Sequence, residues 1–245
     1  MTNVTSEWNR RARALDARDN GIIAKPLAHI ARESGLRIVG IGGPPGAGKS
    51  TIAQLVAEEL ADVLVMSLDD FYLSKTERSA RGLRWRGPPG SHDLSALLDV
   101  LDGLPERRVP IETPKFSAEI DDRVEPITIT EPPDYVLLEG WLLGHRGDGY
   151  DAVLDRLDLM TFLDVDEETA RARRFDREAA LREHGSGFSE QEMQSFWDEV
   201  LGPGIPRWVR SAKESADLVF EMPLGNLRSV HTTSPLVLAA LTDPA

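Results

Sequence analysis

Gly43-Pro44-Pro45-Gly46-Ala47-Gly48-Lys49-Ser50 fits the pattern G-x-x-x-x-G-K-[ST]. Its flanks fit as well. Leu36 to Ile41 is a short apolar run that reads as a buried strand. Thr51 to Leu60 carries Ile52, Leu55, Val56 and Leu60 at helical spacing. A glycine-rich turn between strand and helix lets backbone N–H groups face an anion, because no Cβ blocks the approach. The helix start adds partial positive charge at the same point. Lys49 supplies a mobile charge for the outer phosphates of a nucleotide, and Ser50 offers a hydroxyl to Mg²⁺. Residues Gly43 to Thr51 are therefore the expected nucleotide-binding set.

Composition narrows the partners. The chain has 245 residues, with 28 Lys and Arg against 41 Asp and Glu, a formal charge of −13. Nucleic acid and anionic membranes both call for a basic face, so neither is expected as a partner. An anionic substrate must be held by a local basic pocket against the overall field. Without cysteine there are no disulfides, thiolate metal sites or cysteine nucleophile. Residues 1–13 hold no apolar core of signal-peptide type, and no apolar run reaches membrane-spanning length. A cytoplasmic protein is expected, with homodimerisation left open.

Residues 7–34 read as an amphipathic helical segment. Leu15, Ile22, Ile23, Leu27 and Ile30 are its apolar positions, and Pro26 is an expected break. Arg10, Arg11, Arg13 and Arg18 are expected on a solvated face. Asp62 to Leu68 is a second buried strand, ending in Asp69-Asp70-Phe71-Tyr72. In an open parallel sheet, ligands lie beyond the carboxyl ends of the strands, so these acids are expected to face the phosphate site. Residues 74–92 are rich in Arg and Gly and read as a shaped loop, with Arg84 and Arg86 as candidate clamps for an acidic substrate. Asp93 caps a helix to about residue 102. Residues 109–111 and 127–129 read as short strands, and 114–123 as a charged loop between them. Tyr135 to Trp141 is an apolar strand that delivers Glu139, the expected second Mg²⁺ ligand, acting through water. Leu159 to Val165 is another buried strand. Asp166 caps the helix after it, and that helix carries Arg171, Arg173, Arg174, Arg177 and Arg182. It is the expected lid, over about residues 166–190. Ser189 and Glu192 form a capping box, and residues 216–220 are the expected last strand. Residues 227–245 give no signal. The expected division is a helical segment at 1–35, a catalytic domain at 36–225 and a tail at 226–245.

The phosphate loop, LDDFY at 68–72, RGPPGSHDL at 86–94, the PxF…DDR stretch at 114–123 and LLEGWLLG at 137–144 follow one another in an order that resembles the D-glycerate 3-kinase group. That group lies within the wider P-loop kinases of the phosphoribulokinase, uridine kinase and pantothenate kinase type. The resemblance spans about residues 36–221. It implies an α/β, three-layer P-loop fold with a mostly parallel sheet flanked by helices, a helical lid and a substrate-side loop insertion. It also implies ATP, Mg²⁺ and phosphoryl transfer to a small-molecule alcohol. Carried over by position, Lys49 and Ser50 match the nucleotide and metal groups, Asp69 the base, Glu139 the metal-site acid, Arg174 a lid arginine, and His92 with Asp93 the substrate-side pair. Asp70, Tyr72, Arg84, Arg86, His92 and Arg123 form the expected substrate set.

One departure stands out. Glycerate-kinase-like sequences carry F-D-K after the proline of the 114–123 stretch, and here Ser117-Ala118 follow Phe116. The alternatives are a kinase for a nucleoside, pantothenate or a sugar, a nucleotide-dependent binder, or an inactive kinase-like protein.

Overall fold

The computed structural model describes residues 1–14 and 21–242. Nine strands are present in this part of the chain: β1 (Thr2–Asn3), β2 (Ile38–Gly42), β3 (Val63–Ser67), β4 (Ile111–Ser117), β5 (Asp122–Ile129), β6 (Tyr135–Glu139), β7 (Leu159–Asp164), β8 (Leu218–Glu221) and β9 (Ser229–Thr232). Seven of them form one sheet in the order β1-β9-β8-β7-β2-β6-β3. The pairs from β3 through β6, β2 and β7 to β8 are all parallel, and β9 and β1 close one edge antiparallel. β4 and β5 form a separate hairpin. The sheet is thus mostly parallel, as the sequence implies.

Both faces of the central strands are buried, which is what a parallel sheet between helical layers requires. Val39, Ile41, Leu137, Leu163 and Phe220 face one core. There they meet α1 (Thr5–Ala14), α2 (Gly21–Glu33) and α3 (Lys49–Glu58). Ile38, Leu138, Phe162 and Val219 face the other. Helices α4 (Lys75–Ala80), α5 (Leu94–Gly103), α6 (Tyr150–Leu154), α7 (Glu167–Glu183) and α8 (Glu190–Phe196) follow in the chain, and α5, α6 and α8 supply that second core. After α8 the chain passes through π-helical turns at Trp197–Leu201 and Ile205–Val209, which flank α9 (Gly202–Gly204), and continues into α10 (Arg210–Ser215). The caps expected at Asp93, Asp166 and Ser189 are all present.

Several expectations need correction. Pro26 does not break its helix and lies inside α2. Proline removes the N–H that would bond the carbonyl four residues back, here that of Ile22. The buried Trp8 supplies the missing donor: its indole N–H reaches the Ile22 carbonyl at 3.0 Å. Arg11 is buried rather than on a solvated face, whereas Arg10 is exposed. They donate to the carbonyls of Leu241 and Ala240, both at 2.6 Å, and so cap the end of α11 (Pro235–Thr242). Leu15 and Arg18, and the side chain of Arg13, lie outside the described residues. The stretch read as a charged loop at 114–123 is most of a hairpin, turning at Asp121 with φ +55°. The stretch after 226 carries β9 and α11, and β9 rather than β8 is the last strand.

The Trp8 contact gives a stability prediction. Trp8→Phe should cost about 1–3 kcal/mol through the orphaned carbonyl, in addition to lost packing. In a Pro26→Ala background the restored backbone N–H takes the Ile22 carbonyl, so the same substitution should cost measurably less. Urea unfolding of the four proteins in this cycle reads the coupling directly.

Candidate active site

The phosphate loop leaves β2, the strand between β6 and β7, and enters α3 at Lys49. Gly43 (φ +144°) and Gly46 (φ +88°) need their missing side chains. A Cβ on Gly46 would stand 2.2 Å from the Ala170 carbonyl of α7, and one on Gly43 would stand 2.7 Å from the Leu163 carbonyl. The loop is therefore seated directly against the first turns of the lid helix. No side chain caps the start of α3 at Gly48, so its first amides remain available to an anion. Lys49 is 8% exposed and folds back over the loop, donating to the carbonyls of Gly43 at 3.1 Å and Pro44 at 3.0 Å. Burial lowers its pKa, while Glu139 and Asp69 oppose the shift.

Glu139 ends β6. The parallel register sets it level with Ile41 of β2 on one side and Ser67 of β3 on the other. The Ser50 hydroxyl donates to Glu139 Oε1 at 3.0 Å. Burial raises the Glu139 pKa, with Lys49 pulling against it and Asp69 adding to it. A hydroxyl and a carboxylate bonded at the mouth of a phosphate loop are hard oxygen donors of the kind Mg²⁺ takes, its other positions being filled by phosphate and water. The pair fits that ion. Among the described residues no cluster of three or more His, Asp or Glu forms a separate metal cage.

Asp69 lies in the 3-10 turn Leu68–Phe71 that follows β3, with its N–H donating to the Ser67 hydroxyl at 3.3 Å. It is exposed, and its charge reaches Lys49, Glu139, Tyr72, His92 and Tyr150. The site's electrostatics converge on this carboxylate. Asp70 beside it pairs with Lys115 of β4 at 2.9 Å.

These groups line one cleft of about 520 Å³. Pro45, Gly46, Lys49 and Ser50 form the phosphate end. Tyr72, Arg86, Phe116, Trp141 and Phe196 form the other end, together with Ser117, Ala118 and Glu119 near the hairpin turn. Among the lining side chains, Asp69, Asp70, Glu119, Glu139 and Glu178 are acidic, and Lys49, Arg86, Lys115, Arg174 and Arg177 are basic. Their charges sum to zero in a chain of formal charge −13.

Three expected substrate residues stand off the cleft wall. Arg84 pairs with Glu199 at 3.2 Å on the outer surface and covers the Trp85 ring. Arg123 bonds Asp93 at 3.0 Å and the Tyr72 carbonyl at 2.9 Å, tying the hairpin to the start of α5. His92 lies behind Tyr72, stacked on it at 4.2 Å, with Nδ1 2.6 Å from the Tyr150 hydroxyl. Burial lowers its pKa to about 4, so it is neutral near pH 7. In each case a protein partner holds the side chain outside this cleft.

The lid holds a residue the sequence did not single out. Arg174 lines the cleft but is bound to Glu178, whose side chain is 3% exposed. Burial works against the charge on Glu178, yet Arg174 and the Phe188 N–H hold its carboxyl below the usual range. Arg177, three residues on, also lines the cleft, and its charge reaches Lys49. Among the described residues it has no ion-pair or hydrogen-bond partner. The i,i+3 spacing from Arg174 was the available signal that both arginines share a helix face.

Comparison with known proteins agrees with this geometry. The family model for "Phosphoribulokinase / Uridine kinase family" matches residues 38–227. A uridine kinase from Latilactobacillus sakei is 28% identical over 186 residues, covering 74% of this chain and 83% of the relative. A pantothenate kinase from Nocardioides is 28% identical over 211 residues, covering 74% of this chain and 64% of that protein. In fold, the chain matches a D-glycerate 3-kinase from Cryptococcus neoformans var. grubii with a TM-score of 0.69 at 20% identity, over 84% of this chain and 96% of the other. Because that family model matches most of its length, residues 38–227, the chain belongs to the phosphoribulokinase / uridine kinase family of P-loop kinases.

Proposed function

We propose that the protein transfers the γ-phosphoryl group of ATP to an alcohol of a small acceptor that carries a negative charge, D-glycerate being the model acceptor. The observation that carries this reading is the meeting of Lys49, the Ser50–Glu139 pair and Asp69 in one cleft that runs on to a buried arginine. The loop amides and Lys49 grip the nucleotide phosphates, and Lys49 exchanges its two carbonyl partners for phosphate oxygens. Ser50 and Glu139 are the residues that would hold Mg²⁺, which when bound neutralises charge on the outer phosphates. Asp69 accepts the proton of the acceptor hydroxyl. Arg177 is placed to offset charge in the transition state, and the lid at about 166–190 excludes water. The motif order at 68–144 and the cationic Arg86 support a glycerate-like acid. Uridine is the rival acceptor, favoured by the aromatic side chains of Tyr72, Phe116 and Trp141 around the cleft.

The deciding measurement is ADP release from purified protein with glycerate, pantothenate, uridine and simple polyols. Turnover with uridine alone would select the rival. Lys49→Ala and Asp69→Asn should each lower kcat by about 10²–10³-fold or more. Asp69→Asn should still bind Mg·ATP as the wild type does. A kcat near wild type for Asp69→Asn would remove Asp69 as the base.

Two further substitutions separate the lid arginines. Arg177→Ala should lower kcat and leave the melting temperature unchanged. Arg174→Ala should lower the melting temperature as well, because it strands the buried Glu178 carboxylate.

Glu139 gives a prediction of opposite sign for stability and function. Its folded pKa is raised, so at neutral pH the folded protein bears the cost of an ionised buried carboxyl. Glu139→Gln should raise the melting temperature of the ligand-free protein at pH 7, and the gain should shrink as the pH falls through the raised pKa. The same variant should lose the stabilisation that Mg·ATP gives the wild type over ATP alone. Differential scanning fluorimetry with and without Mg²⁺ tests both halves.

A further inference from the structure

Asp121, at the hairpin turn, is gripped by two buried arginines. Arg86 Nη1 lies 2.5 Å from Oδ1, and Arg78 Nη2 lies 2.9 Å from Oδ2. Arg78 is 1% exposed and also donates to the carbonyls of Leu73 and Asp121, so it is spoken for. Two guanidinium groups on one carboxylate leave one positive charge over. Arg174 and Glu178, the neighbouring charged pair, cancel each other and add no net charge to it. Asp69, Tyr72 and Arg86 all line the same cleft, and the Tyr72 hydroxyl feels both charges.

The surplus resides on Arg86. Its side chain is 9% exposed and lines the cleft, and its guanidinium carbon sits 4.7 Å from the Phe188 ring centre and 5.7 Å from that of Phe116. Aromatic faces offset part of the cost of a desolvated cation, but they do not replace a counter-charge. Nη1 makes the only hydrogen bond of this side chain among the described residues, and neither Nε nor Nη2 is a fully buried atom without a partner. Three further arginines and lysines of the expected substrate region are engaged: Lys115 by Asp70, Arg123 by Asp93 and Arg84 by Glu199. Of the hairpin positions nearest the turn that line the cleft, Ser117 and Ala118 are neutral and Glu119 is acidic, so none offers a cation.

We infer that Arg86 is the specificity-determining residue for the acceptor and receives its oxyanion group, a carboxylate or phosphate, through the free guanidinium edge. Asp121 and Arg78 fix the orientation of that edge. The acceptor is then a small hydroxylated acid, and neutral nucleosides and sugars are disfavoured because they leave the buried charge unmatched. This rests on the kinase reading above.

The test uses acceptors matched in shape and differing in charge. Initial rates with Mg·ATP are compared for glycerate against glyceramide, and for glycerol 3-phosphate against glycerol. In the wild type the charged member of at least one pair should have the higher kcat/KM by about 10- to 100-fold, the worth of a hydrogen bond to a charged group. The pair that responds tells carboxylate from phosphate. Arg86→Gln should erase that ratio by lowering kcat/KM for the acid far more than for its neutral partner. Arg86→Lys should restore part of it. Equal kcat/KM within both pairs, or a preference that survives Arg86→Gln, overturns the inference and leaves the kinase reading standing. ATP consumption that no hydroxyl compound stimulates overturns both. If Arg86→Gln fails to bind ATP, the wild-type ratios alone decide.

Discussion

The bond between the Ser50 hydroxyl and the Glu139 carboxylate is the constraint on which the rest of the structure depends. It can form only if β6 lies beside β2 with Ile41 level with Glu139. Side chains alternate along a strand, so a slip of one residue would carry Glu139 to the opposite face and leave Ser50 without its partner. The register is held by the buried side chains on both faces: Leu137 packs on one core, and Val136 and Leu138 on the other. Hydrophobic patterning in the strand interior thus fixes where a charge sits at the strand end. This is the general logic of parallel sheets, whose carboxyl ends gather loops at one edge.

Around that pair, the loop and the lid are not independent. Gly46 touches the Ala170 carbonyl closely enough that no side chain would fit, so the phosphate loop and α7 share a contact surface before any ligand arrives. The hairpin is joined to the same assembly from the other side. Arg123 ties it to Asp93 and Tyr72, while Arg78 and Arg86 tie its turn to the polar stretch after β3. This end of the cleft is therefore built from segments far apart in sequence, joined by charge pairs as well as by buried aromatic side chains.

That difference explains what the sequence could disclose. The strands, the phosphate loop and the helix caps rest on local patterns: apolar runs, glycine spacing, and Ser or Asp before a helix. They were legible. The place of Glu139 at a strand end was legible because an apolar run leads up to it. Pro26 misled because its cost is met by Trp8 of α1, and no local rule anticipates a donor from another helix. The hairpin looked like a charged loop because residues 114–123 carry Lys115, Glu119, Asp121, Asp122 and Arg123 with no regular alternation of apolar side chains. Arg84, Arg86 and Arg123 were indistinguishable as arginines in polar stretches. Only the positions of Glu199, Asp121 and Asp93 sort them, and each of those acids lies far off along the chain from the arginine it holds.

The resting cleft also explains how an acidic chain can hold a polyanion. Nearly every cation lining it is already engaged: Lys49 with two carbonyls, Lys115 with Asp70, Arg86 with Asp121 and Arg174 with Glu178. Such partners keep the charges in place and oriented without a ligand. A phosphate entering this site competes with internal oxygen atoms rather than with bulk water alone. The weakest of those contacts, the carbonyls on Lys49, lie where the nucleotide phosphates are proposed to arrive. The strongest, the carboxylates on Arg86 and Arg174, lie where geometry matters more than exchange. Arg177 breaks the pattern: it is exposed and unpaired among the described residues, so moving it onto a phosphoryl group breaks no existing bond. An arginine that must act only in the transition state is best kept in that condition, because any ground-state partner would add directly to the barrier.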